Sequence, residues 1–221
     1  MKNSNLITRI SGIVGILGGL LLFAGDMLYY YNGASIDLKF NMANSSDFRI
    51  EINGIIALLS TWLYLLGVIS IYYAFAPASK KLRNIVLMSF TGILTSYGII
   101  HGAYIAIATT AKLALHNNLD IVDSSALAVD TNNLMRLIIY PIFAVFSFVF
   151  IWQVWKKKTL YPRWILIFFP LTTFVFQGFL KQALSGSTWV IVNGGFLNII
   201  LVIFFTASTI ALWNKTAPAE G

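Results

Sequence analysis

Six stretches of this chain are each long and apolar enough to cross a bilayer, and no other feature of the sequence restricts the fold as strongly. A spanning helix needs about 20 mostly apolar residues, because each residue adds about 1.5 Å along the axis. The stretches cover about 8–31, 54–76, 84–113, 134–155, 161–182 and 188–213. Of the 221 residues 58% are hydrophobic and only 10% charged. A water-soluble domain buries about 70% of the surface that its unfolded chain exposes, too little to hide this much apolar area. The runs are continuous rather than alternating, which excludes a membrane β-barrel. The connections at 32–53 and 114–133 are too short for a separate domain. The sequence therefore predicts one transmembrane domain over 1–221, an all-α polytopic bundle of six helices.

The charges orient the bundle. Lys and Arg accumulate in cytoplasmic loops. Ten of the fifteen basic residues fall at the two termini and in the 2–3 and 4–5 connections, which carry Lys80, Lys81, Arg83, Lys156, Lys157, Lys158 and Arg163. Asp37, Asp47, Glu51, Asp120, Asp123 and Asp130 all fall on the opposite side. This predicts a plasma (inner) membrane protein, multi-pass, with both termini cytoplasmic and the lipid bilayer as its first partner. The first run reads as an uncleaved span, since Leu22 stands where a signal peptidase prefers a small residue. The net charge of +7 is accounted for by orientation, and no nucleic-acid partner is expected. Pro141 and Pro170 are candidate kinks in the fourth and fifth helices.

The chemistry-bearing residues are few. There are no cysteines and only two histidines, His101 and His116, about 22 Å apart on a continuous helix. No metal site, haem clamp, phosphate loop or dinucleotide fingerprint is present, so no cofactor is expected. Depth is the informative pattern. Asp26 lies about sixteen residues into the first span, His101 seventeen into the third and Gln177 and Lys181 sixteen and twenty into the fifth, all counted from the basic side. Arg136 begins the fourth span from the other side, and Asn193 lies in the first turns of the sixth. Tyr97, His101 and Tyr104 share a helix face. Gly12, Gly19 and Asp26 recur at seven residues, so Asp26 continues a face of small residues suited to close helix packing.

The expectation is a polar cavity in the outer third of the bilayer, open to the outside and lined by Asp26, Tyr30, Tyr97, His101, Tyr104, Gln177 and Lys181. Arg136, Asn193 and Asn198 would support it. A charge near the bilayer centre costs about 2.5–3.5 kcal/mol, which favours inward-facing, partnered groups. Each residue also has a structural reading. Asp26 would cap a helix end, His101 would sit neutral on a carbonyl, Lys181 would snorkel, Arg136 would lie in the interface, and the asparagines would join helices.

The run GGLLLFAGD ending at Asp26, with Tyr29 and Tyr30 after it, and the run SYGIIHGAY from Ser96 to Tyr104 resemble segments of uncharacterised six-helix prokaryotic membrane proteins of unknown function. The resemblance implies a fold and no activity.

Three functions follow. The first is a protein that binds or moves a small polar or amphipathic ligand, which Asp26, His101 and Lys181 would coordinate or supply with protons. The second is an intramembrane enzyme acting on a lipid, with the same pair as acid and base; no catalytic residue is assigned and the enzyme question stays open. The third is an accessory or structural membrane subunit. A homodimer or a partner membrane subunit fits each of them.

Overall fold

The computed structural model describes residues 2–32 and 35–215, without the side chains of residues 2–4 and Lys181. All regular structure among the described residues is helical. The helices are α1 (Lys2–Tyr30), α2 (Leu38–Ala43), α3 (Asp47–Ala74), α4 (Lys80–His116), α5 (Ile121–Trp155), α6 (Pro170–Phe174), α7 (Phe176–Ala183), α8 (Gly186–Gly194) and α9 (Phe196–Leu212), with a 3-10 segment at Arg163–Phe168 before α6.

Four of them, α1, α3, α4 and α5, are long and apolar enough to cross a membrane, and α8–α9 makes a fifth if its bent pair counts as one span. Their outer faces carry large exposed apolar side chains; Leu127 is 80% exposed and Phe148 69%. In water such a belt would be an aggregation surface, and in lipid it is the solvated surface. This is the character of a helical membrane protein.

The long helices overrun their apolar stretches because polar caps extend them. The Ser46 hydroxyl accepts from the amide of Arg49, that of Ser79 from Leu82 and the Asp120 carboxylate from Asp123. Each satisfies an amide that a helix start leaves without a partner. Thus α3 starts at residue 47 rather than 54, and α5 at 121 rather than 134.

The fifth expected helix is not continuous. Residues 161–182 form the 3-10 segment, α6 and part of α7. Pro170 is the cause: a proline drives the preceding residue out of helical geometry, and Phe169 is extended at φ −69°, ψ 140°. Its ring is fully buried and stacks on Phe150 at 4.6 Å, so aromatic packing holds the break. Pro141, by contrast, is absorbed inside an unbroken α5. The sixth expected helix, 188–213, bends by 65° between α8 and α9. Gly194 and Gly195 form the bend. A Cβ on Gly194 would lie 2.7 Å from the Tyr30 ring, so the pair lets α1 approach closely.

Helix α1 packs on α3 and α9, α3 on α4, and α4 on α5. The end carrying Lys80 and Lys156 (the basic end) holds an aromatic core in which Phe90 and Phe146 stack at 4.7 Å beside Phe150, Phe204 and Phe205. At the acidic end Tyr29, Tyr30, Met42, Ile50, Ile107 and Val190 form a second apolar cluster.

Glycines set the α1–α3 distance. A Cβ on Gly67 would lie 2.7 Å from the Cα of Gly15, where no side chain can move aside. Gly67→Ala is expected to destabilise the protein by about 1–3 kcal/mol, the usual cost of overpacking. Gly92→Ala, whose Cβ meets nothing within 4 Å, should be neutral or slightly stabilising. Thermal unfolding in detergent compares the two.

Candidate functional site

Asp26 sits near the carboxyl end of α1, and that end is unusually well tied. The orphan carbonyls of a helix terminus need donors. Asn53 Nδ2 donates to the Gly25 carbonyl (2.5 Å), Arg49 to those of Met27 (3.1 Å) and Tyr31 (2.7 Å), and Asn41 to that of Tyr30 (2.7 Å). Asp26 is therefore not needed as a terminal cap, and its carboxylate points into the bundle, only 2% exposed.

Two partners meet it there. Asn198, in the first turn of α9, donates Nδ2–H to Asp26 Oδ2 at 2.6 Å. His101 on α4 places Nε2 at 3.2 Å from Oδ1. The other imidazole nitrogen, Nδ1, lies 3.1 Å from the backbone carbonyl of Tyr97. A carbonyl only accepts, so Nδ1 carries a proton. A proton placed in the 3.2 Å Nε2–Oδ1 contact can sit on either atom. Held on His101, it makes an imidazolium–carboxylate pair; held on Asp26, it makes a neutral acid facing a neutral imidazole. Both forms keep the Asn198–Asp26 and His101–Tyr97 bonds, so a proton can change sides without disturbing the packing.

The network extends through Asn198. Its Oδ1 accepts from the Tyr97 hydroxyl (3.0 Å) and the Tyr64 hydroxyl (3.3 Å). Asn198 is fully buried and joins α1, α3, α4 and α9 through these bonds. The His101 ring stands edge-on to Tyr97 at 4.3 Å and to Tyr104 at 5.4 Å. Tyr104 in turn meets Tyr30 edge-on at 6.4 Å and accepts a hydrogen bond from Arg136 of α5. Tyr97, Tyr104 and Arg136 are half-buried, so they form the accessible edge of an otherwise closed cluster. Asn132 of α5 donates to the Ile100 carbonyl (3.1 Å) and fixes α5 beside His101.

Of the residues singled out in the sequence, Asp26, Tyr97, His101, Asn198 and, through ring contacts, Tyr30 and Tyr104 are brought together, with Arg136 at the edge. Gln177 is not: it is exposed on α7, because the break at Pro170 removes the continuous helix on which its predicted depth relied. The side chain of Lys181 lies outside the described residues. Asn193 is half-buried on α8 and touches neither Asp26 nor His101. The expected open cavity is, at Asp26, His101 and Asn198, a direct contact network from which water is excluded.

Tyr64 was not foreseen. Depth reasoning favours ionisable groups, and tyrosines in apolar runs usually belong to the packing. Asn53, Ser60 and Tyr64 recur at seven and four residues and are all buried, a polar stripe on α3 that would have pointed to it.

Among the curated proteins and the solved structures, none matches this chain. A family model does match, over residues 1–216, and the chain belongs to that family of unknown function, DUF6796.

Proposed function

We propose that this is a multi-pass plasma-membrane protein that crosses the bilayer six times, with both termini cytoplasmic, binds a small polar or amphipathic ligand and moves protons through the Asp26–His101 pair. The observation that carries this reading is the buried approach of His101 Nε2 to Asp26 Oδ1 at 3.2 Å, with the other imidazole nitrogen 3.1 Å from the Tyr97 carbonyl. A buried pair of this kind is costly and seldom the most stable way to fill a core, which argues for a use. Arg136 supplies the ligand end. Among the described residues it has no carboxylate within salt-bridge distance, and it lies at the accessible edge of the cluster, where it suits a carboxylate or phosphate on the ligand.

The sixth crossing is the broken 161–182 segment. Tyr161 bonds Ser208 (2.7 Å), Phe169 packs on Phe204 (5.8 Å) and Phe174 on Phe196 (6.1 Å). The segment therefore runs antiparallel to α9 over twelve of its residues, about 18 Å. Counting it as a crossing puts the basic termini on the same side as the two basic connections.

The proton itself is the probe for the site. In liposomes with a trapped pH dye and an imposed potassium diffusion potential, the wild-type protein is expected to conduct protons above the protein-free background. Flux equal to that of Asp26→Asn would leave the pair with a packing role only. For topology, the absence of native cysteines is an advantage. Asp123→Cys should react with an impermeant maleimide in intact cells, while Lys157→Cys and Lys215→Cys should react only after lysis. Labelling of Lys215→Cys in intact cells would mean five crossings.

A further inference from the structure

The break at Pro170 leaves part of α5 uncovered. Beside it runs a groove of about 460 Å³ walled by Phe143, Ala144, Phe148, Ile151 and Leu171 and ending at Trp152 and Trp155. Those two indoles are themselves covered by cations. Lys156 Nζ lies 4.8 Å over the Trp152 ring; the Arg163 guanidinium lies 4.9 Å from that of Trp155, and its Nε–H bonds the Trp155 carbonyl (3.0 Å). After α5, Lys157 at φ 56° turns the chain, and Lys156, Lys157 and Lys158 are all exposed directly after Trp155. The sequence holds no Asp or Glu between Asp130 and Glu220, so no carboxylate on this stretch balances them.

We propose that this groove binds an anionic phospholipid, with an acyl chain along α5 and the headgroup phosphate against Lys156, Lys158 and Arg163. An apolar trench that opens onto uncompensated cations at an aromatic belt matches a lipid with a negative headgroup, as basic pockets between transmembrane helices do in general. A second copy of this chain fits poorly, because it would bring the same positive charge to the contact. The site is separate from the Asp26–His101 pair and stands whether or not that pair moves protons.

The test is native mass spectrometry of the full chain in a neutral detergent, with phosphatidylglycerol or phosphatidylcholine of identical acyl chains added. Phosphatidylglycerol should bind more tightly by about fivefold for each basic group that reaches its phosphate, the factor equivalent to about 1 kcal/mol. Lys156→Gln/Lys158→Gln/Arg163→Gln should bring the two lipids level, and Ala144→Trp, which fills the trench from an exposed position, should weaken both. If Ala144→Trp elutes aggregated, Lys156→Gln/Lys158→Gln, confined to exposed side chains, decides the matter. Equal binding of the two lipids by the wild type, a preference that survives the charge substitutions, displacement of the lipid by millimolar inorganic phosphate, or a lipid-free dimer would each overturn the proposal.

Discussion

Asp26→Asn should give a folded protein whose proton flux falls on the order of 10²-fold or more, the scale on which a missing acid–base group is felt. The stereochemistry of the pair explains why fold and flux separate. An asparagine at this position imitates the neutral acid: its carbonyl oxygen accepts from Asn198 Nδ2, and its amide donates to His101 Nε2 while Nδ1–H stays on the Tyr97 carbonyl. No buried group loses a partner, so the unfolding midpoint should move by no more than about 1 kcal/mol in stability. The amide, unlike the acid, cannot release its proton. Asp26→Ala is the contrasting variant. It leaves Asn198 Nδ2 and His101 Nε2 facing a void, and breaking a buried pair from one side costs about 3–5 kcal/mol. Tryptophan fluorescence during denaturation in detergent measures the stabilities, and the dye-loaded vesicles measure the flux. Undiminished flux in Asp26→Asn would end the proton-linked reading.

The parts of this arrangement that were legible in the sequence are those set by the bilayer. An apolar run of hydrocarbon length and a charged residue at a given depth are both consequences of lipid as solvent, so α1, α3, α4 and α5 and the shared depth of Asp26 and His101 could be read without coordinates. Extent was not legible, because Ser46, Ser79 and Asp120 prolong their helices beyond the apolar runs. Nor were the breaks. Pro141 and Pro170 look alike in sequence, yet only the second interrupts its helix, and what distinguishes it is tertiary: Phe169 beside it is held extended by Phe146, Phe150 and Phe204 from α5 and α9. The error at Gln177 is that one break propagated. Asn198 carried another ambiguity. In sequence it was a supporting residue or glue between helices, and the choice depended on Tyr64, a residue whose hydroxyl gives no periodic signal apart from its neighbours Asn53 and Ser60.

Asn198→Ala is expected to be among the most destabilising single substitutions in the bundle, and the hydroxyl variants around it should show why. Removing the amide leaves Asp26 Oδ2 and the hydroxyls of Tyr64 and Tyr97 buried without it, at about 1–3 kcal/mol for each stranded group. It also cuts the bonds that hold the first turn of α9 to α1, α3 and α4 just beyond the Gly194–Gly195 bend. Tyr64→Phe and Tyr97→Phe taken singly behave differently. The remaining hydroxyl still satisfies Asn198 Oδ1, so each single change should cost only about 0.5–1.5 kcal/mol. The double variant strands that oxygen and should exceed the sum of the singles by about 0.5–3 kcal/mol, the range seen for residues that share a partner. A double-mutant cycle on chemical unfolding in detergent measures the excess. Strict additivity would mean that Asn198 Oδ1 does not join the two tyrosines, and the Asp26 bond would then be the one side-chain hydrogen bond by which Asn198 ties α9 to the bundle.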